Sequence, residues 1–260
     1  MQIKPKKRLG QNFLLDGNIQ RKIIAAGEFK NSDIVVELGA GRGELTGLIA
    51  GAAKKVFAIE IDSRLCEIAG EALKAFPNVK IINADILKFN FKNFFKDSKV
   101  KVIGNIPYYI SSPIIEHLLK SRANIIEACL SLQKEFARRI AAPSGSKDYG
   151  SFSCFVQYYA EARIIFKIKK NSFFPVPKVD SSLVRLTIRK EPAVCVKDEK
   201  LFFKVIRAAF NKRRKTLKNS LEGIIAPDKL ERYFKRYALD SRIRPEQLTL
   251  QDFANIQKKH

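Results

Sequence analysis

The residues best suited to chemistry stand four in a row, Asn105-Ile106-Pro107-Tyr108. An exocyclic amine on a nucleobase is a poor nucleophile, because its lone pair is delocalised into the ring. A side-chain amide oxygen and a neighbouring main-chain carbonyl can accept the two amine hydrogens, and Asn105 and Ile106 provide that pair. The nitrogen is then drawn towards tetrahedral geometry, while an adjacent ring, here Tyr108, can stack on an extruded base. Pro107 stiffens the backbone between these groups. Alone, the tetrapeptide is equally a turn with an aromatic anchor, so its meaning depends on the elements that position it.

Those elements are short β-branched runs, the pattern of strands buried in a parallel sheet. Residues 34–38 form the first and lead directly into Gly39-Ala40-Gly41-Arg42-Gly43, followed by a helical segment. Strand, glycine turn and helix let a backbone approach a ligand closely at Gly39 and Gly41. A second run ends at Glu60, nineteen residues past Gly41, where a carboxylate would accept hydrogen bonds from both ribose hydroxyls of a nucleoside. A third leads to Asp85, suited to an adenine amino group or to capping the next helix. The fourth ends at Gly104 and the tetrapeptide. Four strand ends thus place candidate ligand groups at a carboxyl edge, where open α/β sheets bind their ligands. The glycine pattern alone fits a nicotinamide-dependent dehydrogenase nearly as well as a methyltransferase. Glu37, two residues before the first glycine, and the tetrapeptide, which has no part in hydride transfer, favour S-adenosylmethionine as cofactor.

With these motifs in order, the chain resembles the ribosomal RNA adenine N6-dimethyltransferase family, in its small-subunit (16S-type) branch. Leu9-Gly10-Gln11-Asn12-Phe13-Leu14 is similar to the family's amino-terminal stretch that touches S-adenosylmethionine, which implies cofactor contacts for Asn12 and Leu14 beside those of Gly39, Gly41, Glu60, Asp85 and Asn105. The segment from Phe173 to Ser181 resembles the family's Phe-x-Pro-x-Pro-Lys-Val-Asp-Ser motif. That likeness implies that Phe173 is the second ring sandwiching the base; Phe174, before a Pro-rich turn, reads instead as a core anchor. Residues 209–221 resemble the basic helix of the small-subunit branch. The resemblance implies dimethylation of N6 on two adjacent adenines in a 3′-terminal hairpin loop of small-subunit rRNA. Tyr109, where the family usually has Asn, and Ile106, where Leu is commoner, depart from the pattern. Methylation of large-subunit rRNA, the macrolide-resistance chemistry, and a non-catalytic ribosome-assembly factor stand as the alternatives.

The bulk properties agree with an RNA partner. The 260-residue chain carries 49 Lys+Arg against 26 Asp+Glu, a formal net charge of +23, and such a field attracts a polyanion. One basic cluster, Lys4, Lys6, Lys7 and Arg8, opens the chain. A second, within residues 200–221, includes Lys212, Arg213, Arg214 and Lys215 and contains no acid. Both suit phosphates flanking an extruded base. The four cysteines are far apart with no Cys-x-x-Cys pair, so neither a metal site nor a disulfide framework is expected. His117 reads as structural. No apolar stretch is long enough to span a membrane, and a cytoplasmic, monomeric protein is expected.

The expected fold is α/β, a Rossmann-like methyltransferase sheet with helices on both faces and a small helical C-terminal domain. The boundary is placed near 190, giving a catalytic domain over 1–190 and an RNA-binding one over 191–260. Residues 16–27 should form the first helix, capped by Asp16. Residues 125–132 should form a fifth strand, residues 133–142 a helix, and residues 152–157, 162–168 and 183–188 closing strands.

Overall fold

The computed structural model of the chain describes residues 5–211 and 215–257. Its strands, in chain order, are β1 (Phe13–Leu14), β2 (Ile34–Leu38), β3 (Lys55–Glu60), β4 (Val79–Asn83), β5 (Val100–Asn105), β6 (Ile125–Gln133), β7 (Ala160–Ile168), β8 (Phe173–Phe174) and β9 (Ser181–Ile188). Seven of them form one sheet in the order β4-β3-β2-β5-β6-β9-β7, and β1 pairs with β8 in a separate two-stranded ladder. From β4 to β6 the strands run parallel. β9 lies antiparallel to β6, with Ser131 opposite Leu183.

The order reverses beside β2. The chain steps outward from β2 to β3 to β4, then returns to lay β5 on the other side of β2. Right-handed crossovers in opposite directions put their helices on opposite faces of the sheet, and the reversal opens a crevice at the carboxyl ends of β2 and β5. Register makes the neighbours explicit: Leu38 stands opposite Ile59 on one side and Gly104 on the other. Gly39, Glu60 and Asn105 therefore meet at one edge.

Burial explains why these runs become strands. Val35, Val36, Val56 and Ala58 are wholly buried, and a fully buried Val contributes about 1.5 kcal/mol or more. At the opposite edge of the sheet Lys101 sits between Asp33 and Glu127, 3.2 Å from each, with all three side chains less than 15% exposed. This triad ties the starts of β2, β5 and β6 together, away from the cleft.

The first helix, α1 (Gly17–Gly27), begins as the sequence predicts: the Asp16 carboxylate accepts from the Asn18 and Ile19 backbone N–H groups. Further helices are α2 (Glu44–Ala50), α3 (Ser63–Ala72), α4 (Phe91–Phe95), α5 (Ser111–Lys120), α6 (Lys134–Ile140), α7 (Ser151–Tyr159), α8 (Glu199–Asn211), α9 (Leu217–Ser220), α10 (Pro227–Arg236) and α11 (Leu250–Asn255). No described helix is long and apolar enough to cross a membrane.

α7 corrects the strand expected at 152–157. Its Phe and Val content reads as strand, but the burial follows a helical face, with Cys154 and Tyr158 both buried and one turn apart. The Ser153 hydroxyl accepts from the Gly150 backbone N–H at 3.0 Å and donates to Arg139 O at 2.6 Å, which fixes the first turn.

The chain divides into two compact units. One holds the sheet, from the amino terminus to Ala137 and again over Glu161–Ile188. The other joins Arg138–Ala160 to everything from Arg189 onward. The helical unit thus takes in α7 as well as the chain from Arg189 onward. That unit is cored by rings: Tyr158 packs on Phe202 and Phe203 with centroids 5.2 Å apart in each pair, and Tyr159 donates to Glu199.

Candidate active site

The carboxyl ends of β2, β3 and β5, with the turn after β4, open onto one cleft of about 900 Å³ of non-protein space. Its wall includes Gly39 and Gly41, Glu60 and Ile61, Asp85 and Ile86, and Asn105 through Ile110. A strap from the amino terminus, Leu9 to Phe13, closes it.

The glycine turn is built on left-handed backbone, with φ of 79°, 57° and 89° at Gly39, Gly41 and Gly43. Such φ values disfavour any residue with a Cβ. The turn aims the Gly41 N–H at the Glu60 carboxylate, where Oε2 accepts it at 3.0 Å. The other oxygen, Oε1, accepts from the Asp62 backbone N–H at 2.9 Å. Burial raises the Glu60 pKa above its ordinary value, against the lowering effect of those backbone N–H groups. Each carboxylate oxygen has a second lone-pair direction, so the group is fixed in place and still able to accept from a ligand.

Asp85 has two surroundings. Its Oδ1 accepts from the Leu87 N–H at 2.9 Å, capping the turn Ile86–Lys88, and the residue also lines the cleft. The same residue thus caps a turn and stands in the cleft wall.

Asn105 is oriented by a bond that sequence reasoning did not contain. Its Nδ2 donates to the main-chain oxygen of Asn12 at 2.8 Å. With the NH₂ end held by the strap, Oδ1 is the end left to accept from a ligand, and Asn105 lines the cleft. Ile106 and Pro107 follow in the same wall, Pro107 at φ −59° and ψ 134°. Tyr108 is half-buried, and its hydroxyl lies 2.6 Å from Ser181 Oγ at the start of β9. Burial raises the phenol pKa, so the ring is neutral as well as fixed.

The strap is latched at its other end. Lys6 Nζ lies 2.9 Å from Asp62 Oδ1, the Lys6 N–H donates to Gln11 Oε1 at 2.8 Å, and Gln11 Nε2 reaches Asp62 Oδ2 at 3.5 Å. Asp62 is 3% exposed. Burial alone would raise its pKa, but the hydrogen bond and charge of Lys6 hold it below the usual carboxylate range.

Several expected site residues are placed elsewhere. Leu14 and Phe173 are paired across the β1–β8 ladder and buried together in the core at 7% and 2% exposure, and neither lines the cleft. Neighbouring residues in a strand face opposite ways. Phe13 therefore lines the cleft in place of Leu14, and Phe174, read as a core anchor, is 53% exposed. Lys6, expected on RNA, is committed to Asp62. Arg8 and Lys215 are exposed. Lys4, Lys212, Arg213, Arg214 and the side chain of Lys7 lie outside the described residues. Asp62, Gln11, Phe13 and Ser181 are the contributors that the linear reading missed. Gln11, Phe13 and Ser181 stand inside motif segments without a role assigned to them, and Asp62 lies two positions after Glu60.

The comparisons with known proteins are consistent along the chain. The family model described as ribosomal RNA adenine dimethylase matches residues 2–259. A ribosomal RNA small subunit methyltransferase A from Geobacillus thermodenitrificans is 44% identical over 96% of this chain and 89% of its own length. A protein of the same name from Clostridium botulinum is 43% identical over 98% and 94%. Among solved structures, a dimethyladenosine transferase from Plasmodium falciparum superposes with a TM-score of 0.79 at 27% identity, covering 94% of this chain and 95% of that one. The 23S rRNA methyltransferase ErmE superposes at 0.76 with 26% identity, over 94% and 97%. A match of this extent, on a chain whose cleft brings Asn105, Glu60 and the glycine turn together, places the protein in the ribosomal RNA adenine dimethylase family.

Proposed function

We propose that the chain dimethylates N6 of two adjacent adenines in a 3′-terminal hairpin loop of small-subunit rRNA, using S-adenosylmethionine. The observation that carries this reading is the Asn105 amide, whose nitrogen is tied to Asn12 O so that its oxygen is left for an amine hydrogen. The small-subunit assignment is supported by relatives of that name at 44% and 43% identity.

The cofactor fits the residues present. Glu60 keeps a free lone pair on each oxygen for the ribose hydroxyls. Gly39 and Gly41 leave room for close main-chain approach, Asp85 takes the adenine edge, and Asn12 with Phe13 covers the cleft. When bound, S-adenosylmethionine supplies an electrophilic methyl group on a sulfonium.

Turning an adenine out of an RNA loop costs a few kcal/mol. Stacking on the anchored Tyr108 ring offsets about 1–3 kcal/mol of that. The Asn105 amide oxygen and the Ile106 carbonyl accept the two N6 hydrogens, which localises the lone pair and directs it into the cleft. Pro107 holds the two acceptors in register. Methylated N6 bears positive charge and is a strong acid, so its proton passes to solvent and no dedicated base is required. In the second transfer one hydrogen remains, and either acceptor alone can hold it. Catalysis by these groups is proximity and orientation. The exposed Arg8 and Lys215, with Lys212, Arg213 and Arg214, bind phosphates, and the sheet unit carries the chemistry while the helical unit grips RNA as a monomer.

The test is labelled methyl transfer onto unmethylated small and large ribosomal subunits, followed by nucleoside analysis. Dimethyladenosine in small-subunit RNA alone is the expected result. Label in large-subunit RNA instead would move the chain to the chemistry of ErmE, and label in neither would overturn the enzymatic reading in favour of an assembly factor.

A further inference from the structure

Tyr109 belongs to none of the roles above. At 62% it is the most exposed large apolar side chain among the described residues, yet it lines the cleft beside Tyr108. Its ring is supported. Gly10 has φ +57°, and a Cβ there would stand 2.9 Å from Tyr109 Cε1, 3.0 Å from Cδ1 and 3.4 Å from Pro107 Cβ. The ring therefore rests directly on the strap backbone, at a spot no other residue type would leave open. The strap is itself fixed, through Asn12 Nδ2 to Gly10 O at 3.2 Å and Asn105 Nδ2 to Asn12 O at 2.8 Å.

Tyr108 and Tyr109 cannot sandwich a single base. Both lie in the 3₁₀ turn Tyr108–Ile110, where three residues complete a turn and successive side chains diverge by ~120°. Their anchors differ accordingly: Tyr108 reaches Ser181 on β9, whereas Tyr109 leans on Gly10 of the strap. Phe173, expected to complete a sandwich, is buried in the core. The cleft mouth thus presents two separately held rings facing different ways.

We infer that Tyr109 forms a second base-binding subsite, which stacks the unpaired nucleotide adjacent to the adenine held on Tyr108. The inference rests on the adenine reading above and adds a positioning residue to it. Extruding one base breaks its stack with the next, and a fixed ring at the mouth takes the place of that neighbour. Arg8, exposed two residues before Gly10, adds a cation to the same strap. A base-tolerant stack of this kind accepts any nucleobase, because every base has a π-face.

The experiment measures equilibrium binding of an RNA hairpin whose loop holds two adjacent unpaired adenines, intact or with the base removed from the nucleotide on either side of the target. Binding is compared for the wild-type chain, Tyr109→Ala, Tyr109→Phe and Phe174→Ala. Tyr109→Ala should weaken binding of the intact hairpin about tenfold, the size of one base–ring stack. Tyr109→Phe should restore it. On one of the two abasic hairpins, wild type and Tyr109→Ala should bind alike. An equal loss on all hairpins, no loss on any, or the same base-dependent loss from Phe174→Ala would overturn the inference. Wild-type methyl transfer to small subunits is followed in parallel. Its failure would sink the adenine reading, whereas the abasic comparison reports on Tyr109 alone.

Discussion

Glu37 offers a prediction that the structure makes quantitative. Its carboxyl is 2% exposed at the end of β2, and Thr46 Oγ1 donates to it at 2.5 Å. Burial pushes its pKa from 4.5 to about 8, with Thr46 opposing the rise and Glu60 adding to it. The carboxyl is thus mostly neutral at pH 7 and braces the first turn of α2 against β2, beneath the glycine turn. Because the folded value lies above the unfolded one, its stabilisation is complete below pH 4.5 and is lost as pH rises through about 8. At ~1.36 kcal/mol per pH unit, the full interval corresponds to about 5 kcal/mol, of which roughly 4 kcal/mol is lost by pH 7.5. Glu37→Gln keeps the shape and an acceptor for Thr46 but cannot ionise. Urea unfolding of both proteins from pH 4.5 to 8.5 isolates Glu37 together with its coupling to Glu60, since the titrations of groups that do not interact with it cancel in the difference. The stability gap should move in favour of Gln by about 1 kcal/mol per pH unit between pH 5 and 7.5. Parallel curves across that range would refute the reasoning, because they would mean the carboxyl ionises as it does in the unfolded chain.

Three further outcomes are expected. Lys6→Met should loosen the strap, leaving Gln11 as its contact with Asp62; with Lys6 half-exposed the ion pair contributes about 1 kcal/mol, so KM for S-adenosylmethionine should rise by up to about fivefold while the unfolding midpoint barely moves. Lys101→Met leaves Asp33 and Glu127 facing each other without their shared cation, and denaturant unfolding should show a loss of about 3 kcal/mol or more with KM for the cofactor unchanged. Reversing charge at Arg213 and Arg214 should weaken RNA binding and flatten its salt dependence, the slope of log K against log salt falling by about 0.7 for each phosphate no longer neutralised; an unchanged slope would remove them from the RNA surface.

The centre of the sheet was legible because β2, β3 and β5 are almost wholly buried, and a run such as Ile34-Val35-Val36 has few other uses. The order of site residues was legible too, since Gly39, Glu60, Asp85 and Asn105 each end or closely follow an apolar run. What the sequence hid was pairing at long range. Leu14 and Phe173 exchange places with Phe13 and Phe174 according to the register of a ladder of only two residues per strand, which is too short to show a period. The bonds from Asn105 to Asn12 and from Tyr108 to Ser181 join residues 93 and 73 positions apart, and no local pattern encodes them. In α7, Phe152, Phe155 and Val156 carry strand-forming composition, yet the buried hydroxyl of Ser153 and the i, i+4 spacing of Cys154 and Tyr158 decide for helix.

The most direct measurement is single-turnover methyl transfer to unmethylated small subunits by Asn105→Ala, with RNA and cofactor affinities determined on the same preparation. Removing the amide oxygen should slow transfer about 100-fold or more, the loss typical of one preorganised hydrogen-bonding group at a reacting centre, with RNA affinity within about twofold of wild type. Near-normal turnover by this variant would contradict the assignment of Asn105 and its cleft as the site of N6 methylation.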